Sequence, residues 1–332
     1  MTDLVTVRAP VRLDFAGGWT DVPPFSEREG GVVVSAAINR FTRVEVYRRA
    51  MGFRLIAEDI DQTLEVADRA ALAPTGMLAL LQAAVLRFPT FGGLELHTRS
   101  DTPLGSGLGT SGSLGTALVV ALARLDGRPV TPLEAADLAW RLESIDCRLP
   151  GGRQDQYAAA LGGFHRFAFQ DPTMTAEPIP VPSDVRAELE RRLVVCYVGQ
   201  SRVSGDMISR VMEAYEGGEA RVVDALHEMK TVAEEMTVAL TGGDLTRIGA
   251  LLSRNWACQQ RLDPTMQTER MQQVETQALR AGALGGKASG AGAGGCMFFL
   301  AGEDPEAVAR AVAEAGATVM PVRFERNGVR EC

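Results

Sequence analysis

Apolar and polar residues alternate over residues 5–15, a two-residue period that predicts a strand with one buried face. Gly30-Gly31 then opens residues 32–47, β-branched and apolar, which read as one long strand or two. Residues 53–57 and 63–66 read as short strands of the same sheet, and Leu94 and Leu96, set around Glu95 and His97, read as another. Leu78, Leu81, Val85 and Phe88 recur at helical spacing, so residues 75–88 are expected to form a helix that Pro89 ends. Residues 114–125 are apolar almost throughout and predict a buried helix. Thr131-Pro132-Leu133-Glu134 is a capping box with Pro at the first helical position, and its helix is expected to run to about Cys147.

Gly162-Gly163 separates the next helix from a predicted strand at residues 164–169. Composition then turns proline-rich over residues 170–182, which places a lobe boundary there: an N-terminal lobe of residues 1–170 and a C-terminal lobe of residues 171–332. Residues 193–198 read as a buried strand, followed by helices near 205–215, 219–240, 244–260 and 268–281, the last closed by Gly282. Residues 296–300 form an apolar strand, Asp304-Pro305 caps a helix with Val308, Ala311, Val312 and Ala315 on one face, and residues 318–324 are read as the last strand. The β-loop-β-α-β ending suggests a ferredoxin-like second lobe. The fold class is therefore α+β in two lobes, which the 332-residue length also suggests.

Apolar residues make up 46% and charged residues 23%, as in folded soluble chains. The net charge of −8 argues against a general nucleic-acid binder, which needs a basic footprint, yet leaves room for a local cradle that takes an anionic metabolite. No apolar run approaches the roughly 18 residues of a membrane span. Residues 1–10 lack the long apolar stretch of a signal peptide. Cys147, Cys196, Cys258, Cys296 and Cys332 include no C-x-x-C pair, so free thiols in a reducing cytoplasm are expected. His97, His165 and His227 lie far apart, which argues against a His-based metal site or a Ser-His-Asp triad.

The densest chemistry lies at Pro103-Leu104-Gly105-Ser106-Gly107-Leu108-Gly109-Thr110-Ser111-Gly112-Ser113, between a predicted strand and the buried helix. Helix-start N–H groups are unpaired and the dipole there favours negative charge. Glycines let the main chain approach a ligand, and Thr110, Ser111 and Ser113 can add hydroxyl contacts to phosphate or metal. The physical reading is a phosphate cradle; the alternative is a flexible turn with hydroxyl caps. G-x-x-x-x-G-K-[ST] is absent. Gly290, Gly292 and Gly295 match G-x-G-x-x-G, but that fingerprint must open a helix, and here an apolar strand follows, which argues against a nicotinamide oxidoreductase. Two further loops stand out. Gly17-Gly18-Trp19-Thr20-Asp21-Val22-Pro23-Pro24 holds Thr20 and Asp21 on a constrained strand-end loop, and Pro150-Gly151-Gly152-Arg153-Gln154-Asp155-Gln156 puts Asp155 at a helix start. Alone, Asp21 reads as a turn former and Asp155 as a cap.

Gly107-Leu108-Gly109-Thr110-Ser111-Gly112 after Pro103 resembles the second motif of the galactokinase, homoserine kinase, mevalonate kinase and phosphomevalonate kinase superfamily, the GHMP kinases, with Thr110 and Gly112 as mild departures from Ser and Ala. Ala9-Pro10-Val11-Arg12 with Gly17-Gly18-Trp19-Thr20-Asp21 resembles the first motif, and Lys287-Ala288-Ser289-Gly290-Ala291-Gly292-Ala293-Gly294-Gly295 the third. The resemblance implies a ribosomal-protein-S5-like N-terminal lobe and ATP held by residues 103–113 together with Gly290 and Gly292. It implies Mg²⁺ on Ser111, or Thr110, and Glu143, which by itself reads as solvated surface. It also implies Asp155 as the catalytic carboxylate and Arg12 near the transferred phosphate. Thr20, Asp21 and Gly152 would meet the sugar, with Arg153 or Arg202 meeting any phosphate it carries.

Within the family, Gly-Gly-Trp-Thr-Asp-Val-Pro-Pro, Pro-Gly-Gly-Arg-Gln-Asp-Gln-Tyr and Gly-Gln-Ser-Arg-Val-Ser look like the D-glycero-D-manno-heptose 7-phosphate 1-kinases, while Trp19 is more like the fucokinases. The expectation is an ATP-dependent sugar 1-kinase acting on heptose 7-phosphate, with L-fucose 1-kinase as the alternative. A non-catalytic sensor on the same fold is the reading from another class, and it should lack Asp155 or Glu143; both are present. The partners implied are the sugar or sugar phosphate and ATP, with no nucleic acid and no membrane; a homodimer is left open.

Overall fold

The computed structural model describes residues 4–170, 173–199, 201 and 205–332. Its strands in chain order are β1 (Leu4–Ala16), β2 (Gly31–Arg48), β3 (Gly52–Ala57), β4 (Gln62–Val66), β5 (Gly93–Ser100), β6 (Phe164–Gln170), β7 (Thr173–Pro178), β8 (Leu193–Tyr197), β9 (Ala283–Ala288), β10 (Cys296–Ala301), β11 (Thr318–Met320) and β12 (Arg330–Glu331). The α-helices are α1 (Phe25–Arg28), α2 (Ala79–Arg87), α3 (Thr110–Leu125), α4 (Pro132–Arg141), α5 (Gln154–Leu161), α6 (Ser183–Arg192), α7 (Gly205–Glu216), α8 (Ala220–Gly242), α9 (Leu245–Leu262), α10 (Glu269–Arg280) and α11 (Pro305–Glu314).

Two sheets organise them, as an α+β chain requires. An eight-stranded sheet runs β12-β1-β2-β5-β3-β4, with β6 paired to β2 and β7 to β6. The residues 32–47 run is one strand, not two. It serves two partners in turn: residues 31–36 pair with β6 and residues 42–48 with β5, while β1 covers its other edge with a register shift between Pro10 and Val11. The second sheet, β11-β8-β10-β9, is antiparallel throughout.

The apolar odd-numbered residues of β1 enter two cores, on either side of the register shift between Pro10 and Val11. Val7 and Ala9 pack with Val44, Leu94, Leu118 and Leu122 in a core under α3. Leu13 and Phe15 pack with Val195, Phe298, Met236 and Leu252 in a second core that joins both sheets to α8 and α9. Burial of such side chains contributes about 1.5–3 kcal/mol each.

Several helices start as their sequences dictate. Thr131 Oγ1 accepts from the Glu134 N–H, and Glu134 Oε2 accepts from the Thr131 N–H at 2.8 Å, closing the capping box. Asp244, Thr268 and Asp304 cap α9, α10 and α11 through their side-chain oxygens.

Several boundaries differ from the sequence expectation. The residues 75–88 helix begins only at Ala79, because Gly76 takes a positive φ of 70° and breaks the entry. The residues 318–324 strand stops at Met320, before Pro321, which has no N–H for the ladder. Phe324 then bridges Ile38, and β12 pairs with β1, so the chain end returns to the large sheet. The large sheet also continues past residue 170 through β7. Helix α4 does not continue as an α-helix to Cys147: it passes into a π-helical turn, Leu142–Asp146, a feature that tends to mark functional sites. Among the described residues, no helix is long and apolar enough to cross a membrane.

Candidate active site

Two short loops and a helix start meet at the end of β1. Arg12 and Asp14 are two residues apart on that strand, so both side chains leave the same face. The Arg12 Nε–H donates to Asp155 Oδ1 at 2.8 Å and its Nη2 lies 2.6 Å from the same oxygen. Nη1 donates to the Gly107 carbonyl at 2.7 Å and to Ser289 Oγ at 3.3 Å.

Asp155 sits in the first turn of α5, directly against the glycine loop: a Cβ at Gly109 would lie 3.1 Å from the Asp155 carboxyl carbon, and one at Gly112 only 2.5 Å from Asp155 Cβ. The Gly112 departure from Ala therefore has a local cause. Glycine lets α3 and α5 close together at this point.

The loop itself is built for an open main chain. Gly105, Gly107 and Gly109 take φ of 67°, 72° and 77°, a left-handed path that suits glycine. The Thr110, Ser111 and Gly112 N–H groups precede the first helical bond, Ser113 N–H to Gly109 O at 3.0 Å, so they lack intrahelical partners at the head of a 16-residue helix, where the dipole favours negative charge.

Its hydroxyls divide. Ser113 is fully buried, donating to Ala9 O at 2.9 Å and bonded to Thr42 Oγ1 at 2.7 Å. Thr110 Oγ1 is bonded to Thr102 Oγ1 at 2.8 Å and to Ser106 Oγ at 3.3 Å. Leu108 is sealed in the core, and its carbonyl accepts from the Arg12 N–H at 2.9 Å. Pro103 shapes the turn, its carbonyl accepting from the Ser106 N–H at 3.1 Å. Ser111 Oγ instead donates to Glu143 Oε1 at 2.6 Å.

Glu143 stands on the π-helical turn, and its other oxygen accepts from Gln156 Nε2 at 2.7 Å. Burial pushes its pKa up, with Asp155 adding like charge. A carboxylate so placed, beside a hydroxyl, is a hard-oxygen pair of the kind a divalent cation relieves. The residues fit Mg²⁺ on that ground.

Asp21 is buried and accepts from the Arg153 and Gln154 N–H groups at 2.8 and 3.0 Å, capping α5 from outside. Gly152 admits it, since a Cβ there would fall 2.0 Å from Asp21 Oδ2. Desolvation, with Asp155 and Asp14 nearby, raises the Asp21 pKa from its ordinary 3.8 to about 6.

Thr20 does not reach the site: its hydroxyl is buried, 2.7 Å from Gly17 O and 3.0 Å from Val32 O, and accepts from the Val32 N–H at 3.0 Å. The Arg153 guanidinium lies 4.1 Å from the Trp140 ring centroid. Arg202 lies outside the described residues.

The third glycine loop packs on the first. A Cβ at Gly290 would meet Gly107 O at 2.6 Å, and Cys296 N–H donates to Ser106 O at 2.7 Å. Gly292 instead packs on Met266, whose carbonyl a Cβ would approach to 2.9 Å. Arg12, Asp14, Trp19, Asp21, Glu143, Gly152, Asp155 and Gly290 line one cavity of about 190 Å³.

Sequence reasoning missed Asp14 and its partner. Lys287 Nζ, fully buried, donates to Asp14 Oδ2 at 2.8 Å and to Asp14 O at 2.7 Å, tying β9 to β1 beneath the cavity. The two-residue spacing from Arg12 was the available signal.

Residues 74–163 match the GHMP kinases N terminal domain and residues 234–318 the GHMP kinases C terminal domain. A Campylobacter jejuni D-glycero-alpha-D-manno-heptose 7-phosphate kinase is 29% identical over 98% of each chain. A Bacteroides fragilis L-fucokinase/L-fucose-1-P guanylyltransferase is 27% identical over 92% of this chain and 35% of its own. The crystal structure of a D-glycero-D-manno-heptose 1-phosphate kinase from Bacteriodes thetaiotaomicron superposes with a TM-score of 0.80 at 27% identity, covering 99% of this chain and 98% of that one. With both family domains matched in order, and Arg12, Asp155 and Gly290 lining one cavity, the chain belongs to the GHMP kinase family and is a phosphotransferase.

Proposed function

We propose that the chain transfers a phosphoryl group from ATP to the anomeric hydroxyl of a sugar, with D-glycero-D-manno-heptose 7-phosphate as the substrate. The observation that carries this reading is Asp155, held 2.6 Å from Arg12 and set directly against Gly109 at the mouth of the glycine loop. A carboxylate there faces an acceptor oxygen on one side and the phosphate cradle on the other.

The Thr110, Ser111 and Gly112 N–H groups would receive phosphate oxygens. Ser111 and Glu143 would hold Mg²⁺, which when bound offsets charge on those oxygens. Asp21 orients the sugar hydroxyls through charge-assisted bonds. Asp155 accepts or polarises the proton of the attacking hydroxyl, work that contributes about 10² to 10⁴-fold in rate. Arg12, with five donors in a rigid fork, offsets charge on the moving phosphoryl group while it fixes Asp155. Gly290 is in position to close the cavity beside the loop. Free thiols at all five cysteines fit a cytoplasmic setting.

The name of the full-length Campylobacter relative supports the heptose phosphate. Arg202 and Arg153 are the proposed partners of its 7-phosphate. A second reading, L-fucose 1-kinase, is favoured by Trp19, which lines the cavity with a φ of 85° and a buried indole N–H that has no hydrogen-bond partner among the described residues.

Phosphorus NMR of products from ATP with heptose 7-phosphate, free heptose and L-fucose separates them. A 1-phosphate formed at the highest kcat/KM from heptose 7-phosphate supports the first reading. Preference for fucose supports the second, and ATP consumption with no sugar overturns both.

A further inference from the structure

Two carboxamide side chains of α9, Asn255 and Gln259, stand four residues apart and so share one face of that helix. Both are fully buried. The Gly17 N–H donates to Asn255 Oδ1 at 2.9 Å, across 238 positions of chain. Gln259 Nε2 donates to the Gly290 carbonyl at 2.8 Å. These backbone partners fix which atom of each amide points where, since an N–H needs an oxygen and a carbonyl needs an N–H. One turn of α9 therefore grips the first and the third glycine motifs together.

Each amide reaches a different half of the cavity. Gly17 opens the loop that carries Asp21, and its carbonyl accepts from the Thr20 N–H at 3.0 Å, which closes that loop into a turn. Gly290 lines the cavity and abuts the phosphate loop, where a Cβ on Gly107 would fall 2.4 Å from Ser289 O. The helix is itself seated closely on β9: a Cβ at Gly249 would fall 2.5 Å from Leu284 Cβ, and the Gly286 N–H donates to Ser253 Oγ at 3.2 Å. Stability alone does not account for the amides. Asn255 Nδ2 and Gln259 Oε1 have no partner among the described residues. Each amide satisfies one backbone group and leaves one of its own atoms unpaired, so the net gain in stability is small. Buried groups that break such rules concentrate at functional sites.

We propose that Asn255 and Gln259 are positioning residues for phosphoryl transfer. Through Gly17, Asn255 sets the Asp21 loop against the acceptor sugar; through Gly290, Gln259 sets the wall of the phosphate loop. The inference rests on the sugar-kinase reading of the cavity. Because both amides act from one turn of one helix, the acceptor and donor halves are held at a fixed separation, which in-line transfer requires.

Asn255→Leu and Gln259→Met keep the approximate shape and remove the hydrogen bond. Steady-state rates are measured with ATP and whichever of heptose 7-phosphate, free heptose and L-fucose the wild type phosphorylates; calorimetric titration gives ATP affinity. Asn255→Leu is expected to raise the sugar KM at least about tenfold with ATP affinity within about twofold of wild type. Gln259→Met is expected to weaken ATP binding at least about tenfold, with the sugar KM within about threefold. Asn255→Asp keeps an oxygen for the Gly17 N–H and is expected to hold the sugar KM within about threefold of wild type. A purely structural role would lower the melting temperature and leave both constants of the folded enzyme unchanged, or shift both together in both variants. Either result overturns the proposal, as does an Asn255→Asp that behaves like Asn255→Leu. If the wild type phosphorylates none of the three sugars, the sugar reading falls and the titration decides. ATP affinity lost in Gln259→Met and kept in Asn255→Leu then supports the positioning role, and any other pattern overturns it.

Discussion

Arg12 Nη2 lies 2.6 Å from Oδ1 of Asp155, a residue 143 positions further along the chain. The same guanidinium reaches Gly107 O at 2.7 Å and Ser289 Oγ at 3.3 Å. One side chain therefore sets the strand, both glycine loops and the start of α5 relative to each other. Only an arginine presents donors in a fork wide enough for that. Arg12→Lys keeps the charge but loses the fork, so kcat is expected to fall by about 10²-fold, the cost of misplacing a reacting group by an ångström or so. Asp155→Asn keeps the shape and loses the carboxylate, and kcat should fall about 10² to 10⁴-fold. Steady-state rates with equilibrium titration of ATP check both. Near-full activity in Asp155→Asn would remove Asp155 from the chemistry.

Gly112 faces Asp155 without room for a methyl group: a Cβ at that position would stand 2.5 Å from Asp155 Cβ and 3.0 Å from the Gln156 nitrogen. Gly112→Ala should push α5 off α3 and lower kcat by about tenfold or more. Gly242→Ala, at a position with open space around it, is the control and should leave rates unchanged. Equal rates for the two variants would mean that the contact between α3 and α5 is not what holds Asp155 in place.

The elements were readable wherever the apolar period was long. The helices of the second half begin and end within a few residues of expectation, and the Asp244 and Thr268 caps and the glycine stops carry that accuracy. The site was readable where glycines and carboxylates cluster in sequence. What stayed hidden depends on tertiary partners. Nothing local to Leu142–Asp146 announces a π-helical turn, where Glu143 meets both Ser111 and Gln156. Thr20 beside Asp21 reads as a ligand, yet the close approach of β2 takes its hydroxyl. Asp14 and Lys287 lie 273 positions apart, and no spacing rule connects them.

Asp21 has its pKa raised to about 6, so the folded state binds a proton more tightly than the unfolded chain, where the ordinary 3.8 holds. A raised carboxyl costs stability as it ionises. Stability should therefore fall as pH rises from about 4 to about 6, by an amount on the order of 3 kcal/mol. Asp21→Asn should flatten that slope, measured by urea unfolding at pH 4 and pH 7. In the proposed role of Asp21 the ionised form would accept hydrogen bonds from sugar hydroxyls, so kcat/KM for the sugar should rise with pH through about 6 in the wild type. A profile flat between pH 5 and 7 would place the sugar on another group.

Lys287 is fully buried and Asp14 is 2% exposed, and burial pushes the Lys287 pKa down against the pull of its partner. Two charges withdrawn from water hold each other only while both remain. Lys287→Met leaves Asp14 as an unpaired carboxylate with Oδ1 already lacking a partner, and should destabilise the fold by about 3–5 kcal/mol. Adding Asp14→Leu removes the orphaned charge, so the double variant should recover much of that loss, in a cycle read by urea unfolding. If the two losses simply add, the pair does not act as a unit, and the tie between β9 and β1 beneath the cavity must come from the surrounding apolar packing instead.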